Sequence, residues 1–257
     1  MAKVIALIDA DLVCFRCAAS CKDGDPVEAA IERADLLMRD ILSATSADEY
    51  KSFLTGSGNF RKVINPEYKA NRKDQVPPIY LQDVREFLVT EWKSKLGHGL
   101  EADDLLGINQ TEDTIIASLD KDLRMIPGRH YSWAIGTATW SKDAEFKEVS
   151  EEEGAKTFWC QMLIGDKTDN IIGVHGLGPK KSDRIVSGLE TNDLCLETVL
   201  ELYEYDYKRF VMNANCLWIK RHEESEWHTD LNLTLTEELQ QEQDMMSKSM
   251  KSFIQSI

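Results

Sequence analysis

The chain has 257 residues, carries 30 Lys and Arg against 45 Asp and Glu for a net charge of −15, and is 42% hydrophobic. That length can bury one large domain, or one domain with a smaller appendage. No apolar run approaches the roughly 18–20 residues of a membrane span and the first residues lack a basic, apolar leader, so a soluble intracellular protein is expected.

In chain order, Val4 to Ile8 is a continuous apolar run of the kind that forms a buried parallel strand, expected over 3–9 and ending in Asp9-Ala10-Asp11. Cys14, Cys17 and Cys21 recur at i, i+3, i+7 on one face of the helix that should follow, as core thiols. A helix is expected over 26–44 and a strand over 51–55. Pro77-Pro78 opens a helix over 79–95. Glu101-Ala102-Asp103-Asp104 precedes the apolar Leu105-Leu106 at the head of a helix over 102–109. Thr114 to Leu119 is a second buried-strand run, ending in Asp120-Lys121-Asp122, with a further strand over 131–135. Glu151 to Glu153 form the acidic first turn of a helix over 151–164 that feeds Gly165. Two short helices then flank the Gly173–Pro179 turn. The remainder reads as helical or irregular, with Glu237 to Met250 polar enough to fray. This order predicts an α/β catalytic domain over 1–150 and a helical region over 151–257, with the turn element at about 165–190.

The densest chemical signal is Gly165-Asp166-Lys167-Thr168-Asp169-Asn170, followed by Gly176-Leu177-Gly178-Pro179-Lys180-Lys181. Two carboxylates three residues apart stand beside a glycine-rich turn that opens a basic helix. In open α/β sheets, functional groups gather beyond the carboxyl ends of the strands, where the upstream acidic clusters also fall. Any one cluster alone is explained by helix capping. Four converging clusters would repel one another strongly unless divalent cations neutralised them. Hard oxygen donors without nearby Cys or His favour magnesium or manganese over zinc. The expected chemistry is that of nucleic-acid phosphodiesters.

The motifs IDADLV (8–13), FRK (60–62), YKANR (68–72), EADD (101–104), SLDKDL (118–123) and GDKTDNIIGVHGLGPKKS (165–182) resemble, in this order, the flap-endonuclease family of structure-specific 5′ nucleases. The family includes bacteriophage 5′→3′ exonucleases, which resemble the chain most, and the 5′-nuclease domain of bacterial DNA polymerase I. The resemblance implies a PIN-like parallel-sheet nuclease with a helix–three-turn–helix subdomain that binds DNA. It also implies two Mg2+ or Mn2+ ions, roughly 3.5–4 Å apart, that clamp the scissile phosphate. Asp9, Glu101, Asp103, Asp104 and Asp120 would build the first ion site, and Asp122, Asp166 and Asp169 the second. Asp11 is a weaker candidate, since it can cap the next helix instead.

Lys69 and Arg72, at i, i+3, would point to one side of a helix and meet the reacting phosphate as catalytic cations. Arg61, Lys62, Lys73, Gly176, Gly178, Lys180 and Lys181 would contact DNA, with K+ at the glycine-rich turn. The implied activity is a 5′→3′ exodeoxyribonuclease and flap endonuclease of replication or repair. It would be a monomer acting in the cytoplasm, that of an infected bacterial host if phage-encoded. The alternatives are an RNase H-like primer remover on RNA–DNA hybrids, or a catalytically weak protein that binds DNA structures. The chain departs from the family at Leu54-Thr55-Gly56-Ser57-Gly58, where many members carry a further carboxylate, and its 69–101 segment is short for a large helical arch.

The negative charge has two sources. Nine carboxylates lie in the four clusters, and from Glu190 onward fourteen acidic residues face six basic ones. Bulk charge governs nonspecific association, while local basic patches decide docking.

Overall fold

A computed structural model of the chain describes residues 3–137 and 139–257. Strand β1 (Ile5–Asp9) runs straight into helix α1 (Ala10–Ala19), whose N-cap is Asp9 itself. Helix α2 (Val27–Thr45) returns the chain to β2 (Glu49–Thr55). A short helix, α3 (Phe60–Ile64), and a 3₁₀ turn over Ala70–Arg72 lead to α4 (Leu81–Thr90), β3 (Lys95–Gly97) and α5 (Ala102–Asn109). Next come β4 (Thr114–Ala117), β5 (Gly128–Ser132), the ribbon of β6 (Ile135–Thr137) and β7 (Trp140–Lys142), and β8 (Glu145–Val149).

The main sheet has the order β3-β2-β1-β4-β5-β8, with β8 alone antiparallel. Because side chains alternate along a strand, each central strand feeds two cores. Ala6, Ile8, Leu54 and Ala117 pack under α1, α2 and α4, where Cys14 and Cys17 are also buried. Leu7, Phe53 and Ile116 point the other way. Both faces are covered by helices, which is why β1 and β4 read as unbroken apolar runs.

The second half supplies that other layer. Helix α6 (Glu151–Ile164) begins with a capping box of Ser150 and Glu153 and buries Phe158, Trp159, Met162 and Leu163. A hairpin of two short strands, β9 (Gly165–Asp166) and β10 (Ile171–Ile172), follows, then α7 (Pro179–Val186), α8 (Asn192–Leu202), α9 (Tyr207–Leu217), α10 (Trp227–Asp230) and α11 (Glu237–Ile254). One hydrophobic cluster runs from Leu7 through Phe158 and Phe210 to Leu239. The chain-order boundary at 150 therefore falls inside a continuous core.

Three expectations are corrected. The Gly173–Pro179 turn is preceded by the β9–β10 hairpin, so only α7 flanks it as a short helix. The helix expected over 79–95 is shorter, because Lys93 takes a left-handed conformation (φ 52°) that turns the chain into β3. Residues 237–250 do not fray. Gln243 is fully buried; its carbonyl accepts from Asn215 and Trp227 at 2.9 Å, and its amide donates to Ser247 at 3.0 Å. A fully satisfied polar stripe packs as well as an apolar one, yet reads as solvent-facing in sequence.

Candidate active site

The carboxyl ends of β1 and β4 lie side by side and set the first group of carboxylates. Asp9, 2% exposed, accepts the Leu12 amide at 3.1 Å and the Ser118 hydroxyl at 2.7 Å. Ser118 in turn accepts the Asp120 amide at 3.0 Å, and Asp120 accepts the Asp122 amide at 2.8 Å. Asp103 enters from the first turn of α5. Burial, then the charges of Asp9, Asp120 and Glu101, hold the Asp103 carboxyl well above the ordinary range. Burial pushes Asp9 up to about 7. Burial and then Asp120 and Asp166 push Asp122 up to about 7 as well. Asp120 is raised by burial, Asp166 and Asp169, and so belongs electrostatically to both groups.

The second group stands on the β9–β10 hairpin. Its glycines are dictated by close approach: a Cβ on Gly165 would lie 2.3 Å from the Ile171 carbonyl oxygen, and one on Gly173 2.4 Å from the Gly165 nitrogen. Asp166 accepts the amides of Thr168 at 2.7 Å and Asp169 at 3.3 Å, which fixes the hairpin loop.

The hairpin loop is stitched to the segment carrying Lys69 and Arg72. The Lys69 amide donates to the Asp169 carbonyl at 2.9 Å, Asn71 to the Lys167 carbonyl at 2.8 Å, and Asn170 to the Glu67 carbonyl at 2.8 Å. Lys69 has a left-handed backbone (φ 58°) and Arg72 ends a 3₁₀ turn, so the two do not share a regular helix face as expected. They converge all the same. Arg72 pairs with Asp169 at 2.5 Å, while Lys69 pairs with Glu101 and lies 3.5 Å from Asp169. Tyr68, not singled out in the sequence, donates toward Glu101 at 2.8 Å and Asp169 at 2.6 Å. Burial, then the flanking carboxylates, raise its pKa and keep the phenol protonated.

Two assignments are corrected. Both oxygens of Asp104, 0% exposed, are engaged by Arg61, at 2.6 and 2.8 Å, and they also accept the amides of Glu101 and Lys220. Asp104 is an internal counter-ion with no capacity left for a metal. Arg61, 2% exposed, also donates to the carbonyls of Cys216 and Trp218 and lies 3.7 Å from Glu101, so it is held inside the protein and cannot reach DNA. Asp11 is likewise satisfied, accepting the Thr55 amide and pairing with Arg85. At Gly56 a Cβ would lie 2.0 Å from the Gly97 carbonyl oxygen, so no side chain of any kind could stand there.

Lys62, Lys73, Lys180 and Lys181 are exposed. Lys181 reaches back to the Gly176 carbonyl at 3.3 Å. Gly176 is left-handed (φ 77°), and a Cβ on Gly176 or Gly178 would meet nothing within 4 Å, so both open outward. Pro179 begins α7 behind them, leaving the helix N-terminus on the same surface.

Among the described residues no three His, Cys, Asp or Glu are drawn together tightly enough to form a ready-made ion site. The donor chemistry nonetheless fits a hard divalent cation. Asp120 raises Asp9, Asp9 and Asp120 raise Asp103, and Asp166 and Asp169 raise both Asp120 and Asp122.

No family model matches the chain. It is 29% identical over 163 residues to a 5′-3′ exonuclease of Bacillus subtilis (56% of this chain, 53% of the relative). Over 136 residues it is 30% identical to an exodeoxyribonuclease of Enterobacteria phage T3 (48% and 42%). The chain spans about half the length of these relatives. Among solved structures, bacteriophage T5 5′-exonuclease with bound zinc aligns over 98% of this chain and 100% of that one, with a TM-score of 0.61 at 16% identity. A T5 flap endonuclease complex with DNA and metal ions aligns over 98% and 100%, with a TM-score of 0.59 at 15% identity. These likenesses establish the PIN-like nuclease fold.

Proposed function

We propose that the chain is a member of the flap-endonuclease (5′-nuclease) family and acts as a divalent-metal-dependent 5′→3′ exodeoxyribonuclease and structure-specific flap endonuclease. The observation that carries this reading is the meeting, at Asp120, of two mutually repelling carboxylate groups under the cations Lys69 and Arg72.

Asp9, Glu101, Asp103 and Asp120 would hold one magnesium or manganese ion, and Asp122, Asp166 and Asp169 the other. Bound there, such ions neutralise phosphate and lower the pKa of water. Lys69 and Arg72, now paired with Glu101 and Asp169, would turn to the phosphate as negative charge builds on it. The Tyr68 hydroxyl lies within hydrogen-bond reach of both Glu101 and Asp169 and can donate its one proton to either. Lys62, Lys73, Lys180 and Lys181, with the amides of the Gly176–Gly178 turn, would grip duplex phosphates without reading sequence. Turn carbonyls could take K+.

The test is cleavage of 5′-labelled flap, nicked and RNA–DNA hybrid substrates. Magnesium or manganese should support cleavage of the DNA substrates, chelator should abolish it, and calcium should permit binding with little hydrolysis. Asp122→Asn should cut turnover by several orders of magnitude while DNA affinity holds. Full activity in excess chelator would rule the reading out.

A further inference from the structure

The loops leaving β2 and β3 run as a pair toward the candidate site. Gly99 donates its amide to the Ser57 carbonyl at 3.1 Å and accepts the Phe60 amide at 3.0 Å, while Ser57 Oγ lies 3.2 Å from His98 Nδ1. Gly58 and Gly99 both take left-handed conformations, φ 75° and 76°. Over this double loop lie the last turn of α11 and the residues beyond it. A Cβ on Gly99 would meet Ile257 Cδ1 at 2.6 Å and Ile254 Cγ1 at 3.5 Å, and one on Gly58 would meet Phe253 Cζ at 3.2 Å. The two most permissive residues of the loops are thus confined from outside by three apolar side chains.

Gly99 stands two residues before Glu101, whose carboxylate takes the Tyr68 hydroxyl and the Lys69 ammonium. We propose that Phe253, Ile254 and Ile257 are positioning residues that clamp the Gly58–Gly99 double loop and so set Glu101 for metal binding. The inference rests on the reading of Glu101 as a metal ligand. Groups that orient a metal ligand without touching the ion typically change its affinity by about 10–100-fold. Released from the clamp, left-handed glycines would let Glu101 wander from its place beside Asp103.

The test uses the full chain carrying Phe253→Ala with Ile257→Ser. The second site is 58% exposed, so the fold should tolerate the change. Mn2+ binding is read from the electron paramagnetic resonance of the free ion, alongside circular dichroism and DNA binding in calcium. The Mn2+ dissociation constant should rise about tenfold or more. Helical signal and DNA affinity should stay at wild type, and Phe253→Leu with Ile257→Val should restore Mn2+ affinity. Wild-type Mn2+ affinity in the double variant overturns the inference, and leaves the metal reading standing if Asp122→Asn still weakens binding. Loss of helical signal together with Mn2+ affinity also overturns it, since the residues would then be merely structural. A wild-type chain that binds no Mn2+ sinks the metal reading and the inference with it.

Discussion

Adjacent acids at 103 and 104 have opposite roles. Asp103 faces Asp9 and Asp120, whereas Asp104 is spent on Arg61. Removing one partner of such a buried pair strands a charge, at a cost of about 3–5 kcal/mol. Asp104→Asn should therefore lower unfolding free energy by that order in urea titration, while the folded fraction keeps its turnover. Replacing both Asp104 and Arg61 with leucine removes the buried charges but orphans the carbonyls of Cys216 and Trp218 and the amides of Glu101 and Lys220, at about 1–3 kcal/mol each, so it should not recover wild-type stability. Lys69 is the contrasting case. Its contact should strengthen as charge develops, so Lys69→Ala should reduce the single-turnover rate about 10²–10³-fold. A variant altered only in apparent affinity would demote Lys69 to a general phosphate contact.

At the scale of elements, the glycine-rich turn and α7 form one surface with Lys180 and Lys181 exposed. If each lysine neutralises one duplex phosphate, replacing both with alanine should make the log–log salt dependence of DNA binding shallower by about 1.8. Affinity should fall alike for every sequence, and the single-turnover rate at saturating DNA should change far less than in Lys69→Ala. An unchanged salt slope would show that the turn is not a DNA clamp. The β9–β10 hairpin and the Tyr68–Arg72 segment act as a second unit. Four backbone-directed hydrogen bonds, one of them from Arg72 to the Thr168 carbonyl, lock them together, so the motifs YKANR and GDKTDN are two halves of one structure. Each motif was legible in the sequence; their stitching was not, because it joins positions about a hundred residues apart.

Across the whole molecule, metal-free folding carries an electrostatic cost at the carboxyl edge of the sheet. Asp9 and Asp122 are raised from 3.8 to about 7, so between those values the folded chain holds protons that the unfolded chain has released. Stability of the metal-free protein should fall as pH rises through that window. A divalent cation that displaces those protons should offset the loss, so magnesium should raise the melting temperature more at pH 8 than at pH 5. Calorimetry at the two pH values checks this; an equal magnesium shift at both would mean that the ion does not bind where these carboxylates converge. The net charge of −15 does not conflict with DNA binding, since the acidic edge is where cations are proposed to sit and Lys62, Lys73, Lys180 and Lys181 stay exposed.

The sequence by itself determined the α/β alternation, the strands that lead to Asp9 and Asp120, and the hairpin acids Asp166 and Asp169. These follow from local patterning: an apolar run long enough for a buried strand, punctuated where the chain must turn. Only the tertiary structure decided which acids are free. A helix advances about 100° per residue, so Asp103 and Asp104 were bound to face different neighbours, and only packing could say which one met Arg61. The same limit hid Tyr68, whose phenol reads as core until Glu101 and Asp169 arrive beside it. It also hid α11, whose buried Gln243 is satisfied by partners that no local window contains. Burial and partner choice are properties of the folded neighbourhood, and a linear pattern carries only the periodicity that makes them possible.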